Sequence, residues 1–435
     1  MRWTTLCDFA CFAAGIGVVA WLADGAARGV PGMGPWIAAT AAAWLLYPLA
    51  LRGGVPAACA CLAGDDAPGT ASCLGRAGGV PVVFSPRYDI TACGLERAHP
   101  FDSTKYSRVF RTLVDAGVLE RGEECVPSQL SLAQLTRAQG WWWLARLGYG
   151  LRAVMALELP PLGFLPSWAV WWRVLEPMQL ASAGTVCAAE LALARPSAWA
   201  INLGGGFHHA RHGFGHGFCV FNDLTMAAQR ALDGGFGCRR LLYLDLDVHQ
   251  GDGFERDMGW DPRVAVVDAF HPGLFPGDAA AAACPALAER GARFFHRAGD
   301  GGDRFLEWLR TELPRVLAAF DPDLVLYNAG SDVLVGDPLG GMDLPESAVC
   351  ERDAIVFRCC GVGARGGAAS PALGTSPEGA RLFRASGGRR RAVAMALSGG
   401  YQAETAGVVA RSIAAMDAEL GLVEAAKAGE APAGS

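Results

Sequence analysis

The sequence predicts an α/β protein: a three-layer α/β/α domain with a mostly parallel central sheet. Three observations carry that expectation. Short apolar runs recur from Val80 onward, each bounded by glycine or a polar cluster, as in strands buried on both faces. Helix-period stripes lie between them, for example Val409, Ile413, Met416 and Leu420. Strand and helix alternate along the chain, which argues for layers.

Taken in order, the 435 residues suffice for one large α/β domain with appendages. Residues 1–52 hold two uncharged stretches, Phe9–Ala23 and Met33–Leu51, parted by a polar break at Asp24–Gly32. The second approaches the roughly 20 residues that a spanning helix needs. A membrane hairpin is expected, with Arg2 and Arg52 on the cytosolic side and Arg28 blunting that signal. A cleaved targeting segment or a buried extension is the alternative, and the latter leaves the chain in nucleus or cytoplasm. Residues 53–79, rich in Gly, Ala and Cys, read as a linker. The catalytic domain is expected over 80–421. Its strands are Val80–Phe84, Trp199–Leu203, Leu241–Leu246, Val264–Val267, Leu324–Tyr327 and Ala392–Leu397. A low-complexity insertion, Cys359–Arg390, joins a helix at Glu351–Phe357 to the last strand and belongs at the amino edge of the sheet. Residues 422–435 form a tail. Gly140–Leu157, with Trp141, Trp142 and Trp143, is unusually apolar.

Composition excludes some functions. Charged residues make up only 18% of the chain, against about 25% in ordinary soluble domains. A net charge of −6 gives no basic surface for nucleic acid, so no direct nucleic-acid binding is expected. The 14 Cys contain no pair of CxxC motifs, which disfavours a cysteine zinc module or a disulfide scaffold and favours reduced thiols.

The chemistry gathers where strands end, the edge at which open α/β sheets bind ligands. Trp199–Leu203 runs into three glycines, Phe207, His208 and His209. Leu241–Leu246 runs into Asp247, Val248, His249, Gln250, Gly251 and Asp252. Leu324–Tyr327 leads to Asp332, and Ala392–Leu397 leads to Ser398, Gly399, Gly400 and Tyr401. Alternation along a strand would turn Asp245, Asp247 and His249 the same way. Asp247 and His249 could then grip one metal ion, although two acids capping a turn would look similar. Asp332 is the natural third ligand, or else a helix N-cap. Three ligands with an open position suit catalytic zinc, and two oxygens with one nitrogen also suit Fe(II). His208 and His209 can divide acid and base work, oriented through Nδ1 by Asp245 and Asp252. His212 and His216 suggest a second metal site only on a helix, and Gly213, Gly215 and Gly217 argue against one. The Tyr401 phenol could donate to a carbonyl oxygen as charge develops.

The runs INLGGGFHH, HGFCVFND, DLDVHQGDG, YNAGSDVLVGDPLGG and SGGY resemble the histone deacetylase superfamily with its arginase–deacetylase fold. FSPRYDITACGLERAHPFD at Phe84–Asp102 and FLPSWAV at Phe164–Val170 resemble class IV, the histone deacetylase 11 type. The similarity spans residues 80–421 with a gap at the insertion. It implies one zinc per chain on Asp247, His249 and Asp332. It makes His208 and His209 the tandem catalytic histidines, backed by Asp245 and Asp252, and Tyr401 the residue that polarises the scissile carbonyl. Phe218 and Phe270, with Gly206, would line a tunnel around the acyl-lysine stem. The carbonyls of the DLDVH run could hold a structural K+. The implied activity is zinc-dependent removal of acyl groups from lysine on histone or non-histone proteins, long-chain fatty acyl as well as acetyl.

Rival readings exist. A binuclear manganese ureohydrolase of this fold needs an Asp two residues after the metal-binding His, where this chain has Gly251. An acetylpolyamine type of amidohydrolase would act on small molecules. A non-catalytic acyl-lysine-binding scaffold would be expected to lose a ligand or Tyr401, and none is lost.

Overall fold

The computed structural model describes residues 79–429, apart from residues 93, 148–150, 166, 300 and 364–375. The apolar stretches of residues 1–52, nearly all of the 53–79 linker and the last residues of the tail lie outside the described part. No helix among the described residues is long and apolar enough to cross a membrane.

Seven parallel strands among the described residues form one sheet in the order β1-β2-β7-β6-β3-β4-β5. They are β1 Val82–Val83, β2 Trp199–Asn202, β3 Leu241–Asp245, β4 Val264–Phe270, β5 Ala292–Phe295, β6 Leu324–Asn328 and β7 Ala392–Ala396. Every residue of β2, β3, β4, β6 and β7 is buried, which is why they read as apolar runs, broken only toward their carboxyl ends by Asn202, Asp245, Asp268 and Asn328. The four strands that lead into the chemical motifs, β2, β7, β6 and β3, are neighbours at the centre of the sheet. Their register aligns Asn202, Ala396, Asn328 and Asp245 in one row, and Asp268 of β4 continues it. The loops that follow therefore leave from one level of one edge.

Twelve helices of seven or more residues complete the described chain. They are α1 Lys105–Asp115, α2 Leu132–Gln139, α3 Trp141–Leu147, α4 Leu151–Leu157, α5 Glu176–Ala194, α6 Asp223–Asp233, α7 Asp252–Met258, α8 Asp303–Phe320, α9 Glu346–Cys360, α10 Pro377–Ala385, α11 Thr405–Leu420 and α12 Leu422–Gly429. Their ends follow local chemistry. Ser131 and Gln134 make a reciprocal capping box on α2, and Asn222 caps α6 by accepting from Thr225 N. Helix α5 lies on β1, β2, β7 and β6 with α6 against it, while α9 packs with α8, α10 and α11. The two groups are the outer layers of the α/β/α sandwich. In the second layer Val409, Ile413, Met416 and Leu420 of α11 are all buried, as their spacing predicts.

The chain departs from the sequence expectation at three places. β5 was not expected: it is an edge strand with the sequence ARFF and a partly exposed face, too short and mixed to stand out. Cys359 and Cys360 belong to the buried last turn of α9, and Pro377–Ala385 form α10, which buries Leu382 and Phe383. The ends of the segment read as a low-complexity insertion are thus ordinary packed helix. Arg391 N donates to Cys360 O at 2.9 Å, so this segment leaves and rejoins the sheet at the amino edge of β7, opposite Ser398–Tyr401. Residues 364–375 lie outside the described part. The tail begins with α12, where Leu422 and Ala426 join the core.

Beneath the sheet edge sits a buried cation. Arg352 of α9 is 1% exposed, pairs with Asp353 at 2.9 Å and donates through Nη1 to the carbonyls of Leu246 (3.2 Å) and Gly330 (2.5 Å). Asp353 in turn accepts from Tyr327 Oη and Ser412 Oγ. Arg352 thereby ties the β3 and β6 loops together. Arg352→Met should leave Asp353 uncompensated and destabilise the chain by about 3–5 kcal/mol, read as a lowered urea midpoint at unchanged slope.

Candidate active site

The loops at the carboxyl edge place their side chains by accepting and donating to one another. After β2, Gly205 and Gly206 take positive φ (70° and 85°), and Asp223 at the start of α6 accepts from Gly206 N and Phe207 N, each at 2.8 Å. A Cβ on Gly205 would lie 2.1 Å from Thr185 Oγ1 and 2.4 Å from Asp223 Oδ2, so only glycine fits there. This turn delivers His208 and His209 side by side, rings 4.0 Å apart and both 4% exposed. His208 Nδ1 donates to Asp245 Oδ2 and His209 Nδ1 to Asp252 Oδ1, both at 2.8 Å.

β3 ends at Asp245, so the alternation expected through His249 does not hold. The chain bends, with Asp247 N donating to Asp245 Oδ1 and His249 N to Asp247 Oδ1. Asp245 faces back to His208, Tyr243 Oη (2.5 Å) and Asn328 Nδ2 (2.9 Å). Asp247 and His249 converge instead on Asp332, and one ligand atom from each of the three buried residues lies within 4.8 Å of the others. His249 Nδ1 is 3.1 Å from Asp247 Oδ1 and 3.0 Å from Asp332 Oδ2.

These residues fit a divalent cation on two grounds. Two carboxylates are buried together, and burial and the neighbouring Asp247 push the Asp332 pKa up to about 7, the mark of a nest with more negative charge than it can hold alone. The cradle also excludes side chains: a Cβ on Gly399 would stand 2.5 Å from Asp332 Oδ2 and 2.6 Å from Asp247 Oδ2.

Burial opposes charge on both histidines, with opposite outcomes. At His208 the anions Asp245 and Asp247 outweigh burial and push the pKa up to about 9. At His209 burial and the charge of His208 win over Asp252 and lower it to about 3. His216 shares Asp252, with Nε2 3.1 Å from Oδ2, while His212 turns away to the Ala138 carbonyl. The two do not meet, so they form no second metal site.

Tyr401 follows Gly400 (φ 129°) and is held by its own backbone: Tyr401 N donates to Asp337 Oδ2 at 2.8 Å. Its ring lies 6.3 Å from His249 and 6.1 Å from both Phe218 and Phe101. Burial and the nearby Asp332 and Asp247 hold its phenol far above the ordinary range, so it stays a donor. Sequence reasoning missed Lys105. This residue of α1 is 1% exposed and donates through Nζ to the carbonyls of Ser398 (2.7 Å) and Gly399 (3.0 Å), fixing the loop from below. A buried lysine amid the apolar face Tyr106, Val109, Phe110 and Leu113 was the available signal.

Beside the site opens a cavity of about 890 Å³, its mouth included. Gly206, His208, His209, Phe218, Asp247 and Tyr401 line one end. Leu157, Leu159, Leu162, Val174 and Met178 line another part of its wall. Phe218 N donates to Ala156 O, and the Phe218 ring lies 4.1 Å from His99. Phe270 is not part of it. β4 runs on to Phe270, which is buried against Phe295 at 5.4 Å. The aromatic ring that reaches the histidines is Phe275, 4.9 Å from His209, 5.1 Å from His216 and 43% exposed.

Fold and site together define a hydrolase of the α/β class, with acid–base groups around a nest of cation ligands. The chain belongs to the histone deacetylase family: the family model described as histone deacetylase domain matches residues 99–365, and Tyr401 lies beyond that match. It is 36% identical over 284 residues to histone deacetylase 2 of Arabidopsis thaliana, covering 64% of this chain and 70% of that protein. It is 28% identical over 279 residues to the acetoin utilization protein AcuC of Bacillus subtilis, covering 59% of this chain and 67% of that one. The crystal structure of the HDA15 HD domain superposes with a TM-score of 0.55 at 18% identity, over 81% of this chain and 93% of that chain, a likeness of fold.

Gly399 offers a selective probe of the cradle. Gly399→Ala puts a methyl group against both carboxylates and should weaken divalent-metal retention by about 10- to 100-fold, with Asp332→Ala abolishing it. Elemental analysis of the dialysed, folded variants reads the outcome.

Proposed function

We propose that this chain is a zinc-dependent lysine deacylase of class IV, the histone deacetylase 11 type, acting on acylated histone or non-histone proteins. The observation that carries the reading is the convergence of Asp247, His249 and Asp332 beside a largely apolar cavity that Asp247, His208, His209 and Tyr401 line. Zinc on the three ligands would supply Lewis acidity to a water and to the amide carbonyl. The chain's own groups do the rest. His209 donates through Nδ1 to Asp252, which leaves Nε2 as the acceptor, and it is held neutral. It takes the proton from the attacking water and returns it to the departing lysine amine. His208, held through Nδ1 by Asp245, serves the electrostatic role beside it. The Tyr401 phenol donates to the oxygen on which negative charge develops. The products are a carboxylic acid and a free lysine side chain.

Long-chain acyl groups are part of the proposal, because the wall formed by Leu157, Leu159, Leu162, Val174 and Met178 is apolar. Each methylene buried there contributes about 0.8 kcal/mol, a gain that acetyl cannot collect. Membrane association through residues 1–52 belongs to the same reading. So does a structural K+. The resemblance would place that ion on carbonyls of the run from Asp245 to His249.

Hydrolysis of acetyl- and myristoyl-lysine peptides, lost with chelator and restored by zinc, tests the reading. Urea release from arginine, or turnover of acetylpolyamines alone, would replace it. Tyr401→Phe should retain metal and lose on the order of 100- to 1,000-fold in kcat. A loss within threefold would remove the phenol from the mechanism. Val174→Trp should lower kcat/KM for myristoyl-lysine by about tenfold or more and leave acetyl-lysine within a factor of about three, measured in parallel progress curves.

A further inference from the structure

Exposed tryptophan is concentrated in one stretch of the described chain. Trp141, Trp142, Trp168 and Trp172 are exposed, Trp142 at 73% and Trp172 at 67%, and Met155 lies between them. Trp260 is the only other exposed tryptophan among the described residues. Trp168 and Trp172 meet edge to face at 6.3 Å on consecutive turns. The stretch from Trp141 to Leu175 carries Arg146, Arg152 and Arg173 against a single acid, Glu158, within a chain of net charge −6. Arg146 and Arg173 are exposed and form no ion pair among the described residues. The inner side of the same stretch supplies Leu157, Leu159, Leu162 and Val174 to the cavity wall, so its outer side is left with aromatics and cations.

We infer that the exposed residues Trp141, Trp142, Trp168 and Trp172, with Arg146 and Arg173, seat on an anionic phospholipid bilayer. Indole rings settle at headgroup depth, where an apolar body meets a polar tip. Arginines among them reach lipid phosphates while their stems cover apolar surface. Exposed aromatic surface on this scale needs a partner, and the charge selects which: between Trp141 and Leu175 three arginines stand against one acid, which suits an anionic headgroup layer. This contact is separate from residues 1–52. It brings the cavity wall itself to the lipid, where an acyl chain attached to lysine would partition.

The test places a photoreactive benzoylphenylalanine at Trp168 of the full chain, and in a second protein at Trp260. Both are irradiated on phosphatidylcholine–phosphatidylserine vesicles and on phosphatidylcholine alone. Phospholipid adducts at position 168 should exceed those at 260 several-fold. They should fall when phosphatidylserine is omitted, or when Arg146→Glu and Arg173→Glu are added. Insertion by residues 1–52 alone would bring the chain to the vesicle yet leave positions 168 and 260 equal, which overturns the inference. Adducts at 168 to residues 1–52, to a second copy or to another protein would overturn it too, by showing a protein cover instead.

Discussion

The structure depends on keeping Asp247 ionised where water does not reach. Asp247 is 1% exposed and Asp332 is fully buried beside it, an arrangement that costs several kcal/mol per charge unless every oxygen is met. The fold meets them from the loops after β3 and β7. Asp247 Oδ2 accepts from Ser398 Oγ at 2.9 Å and Gly399 N at 3.0 Å, and Oδ1 from His249 N. Asp332 Oδ1 accepts from Val248 N. The cations stand one step further out: Lys105 acts through the Ser398 and Gly399 carbonyls, Arg352 through those of Leu246 and Gly330. Parallel strands make this possible, because the loops after β3, β6 and β7 leave the same edge in register.

The strands were legible in the sequence for the same reason that they are stable. A parallel strand covered on both faces has to be apolar along its length, and Leu241–Leu244, Leu324–Tyr327 and Ala392–Leu397 are. The polar residues that interrupt the apolar code at its carboxyl end then mark the site. What failed was geometry beyond the strand. Alternation was carried four residues too far, through His249, into the β3 loop, where carboxylates accept from backbone N–H groups two residues on and bend the chain. Phe270 was placed in the cavity by the family resemblance, and β4 was expected to end at Val267. The strand runs three residues longer, and the ring that turns toward the histidines comes later, at Phe275.

Two supporting residues show a second kind of illegibility. Lys105 and Asp337 touch none of the proposed ligands, yet both hold the loop that carries Tyr401, one through its carbonyls and one through its N–H. Asp337 is itself fixed by turning its other oxygen to Leu339 N and Gly340 N. Contacts of this kind join residues far apart in the chain and leave no period or motif. Only the buried charge signals them, since a lysine on an apolar helix face needs a partner to be there.

The chemistry and the substrate wall come from different parts of the chain. Every proposed catalytic group sits at the end of β3, on a loop after β2, β3, β6 or β7, or at the start of α7. Much of the apolar cavity wall comes from residues 157–178, between α3 and β2, and from residues 88–106, which supply no such group. The catalytic loops are locked by glycines that tolerate no Cβ and by buried ion pairs, so they change at the cost of the site. The wall rests on apolar packing, which accepts substitutions of similar volume at small cost. Acyl-chain preference can therefore vary with the wall while the loop chemistry stays fixed. The same division explains why that stretch can also turn an aromatic, cationic face outward: nothing in the reaction constrains its far side.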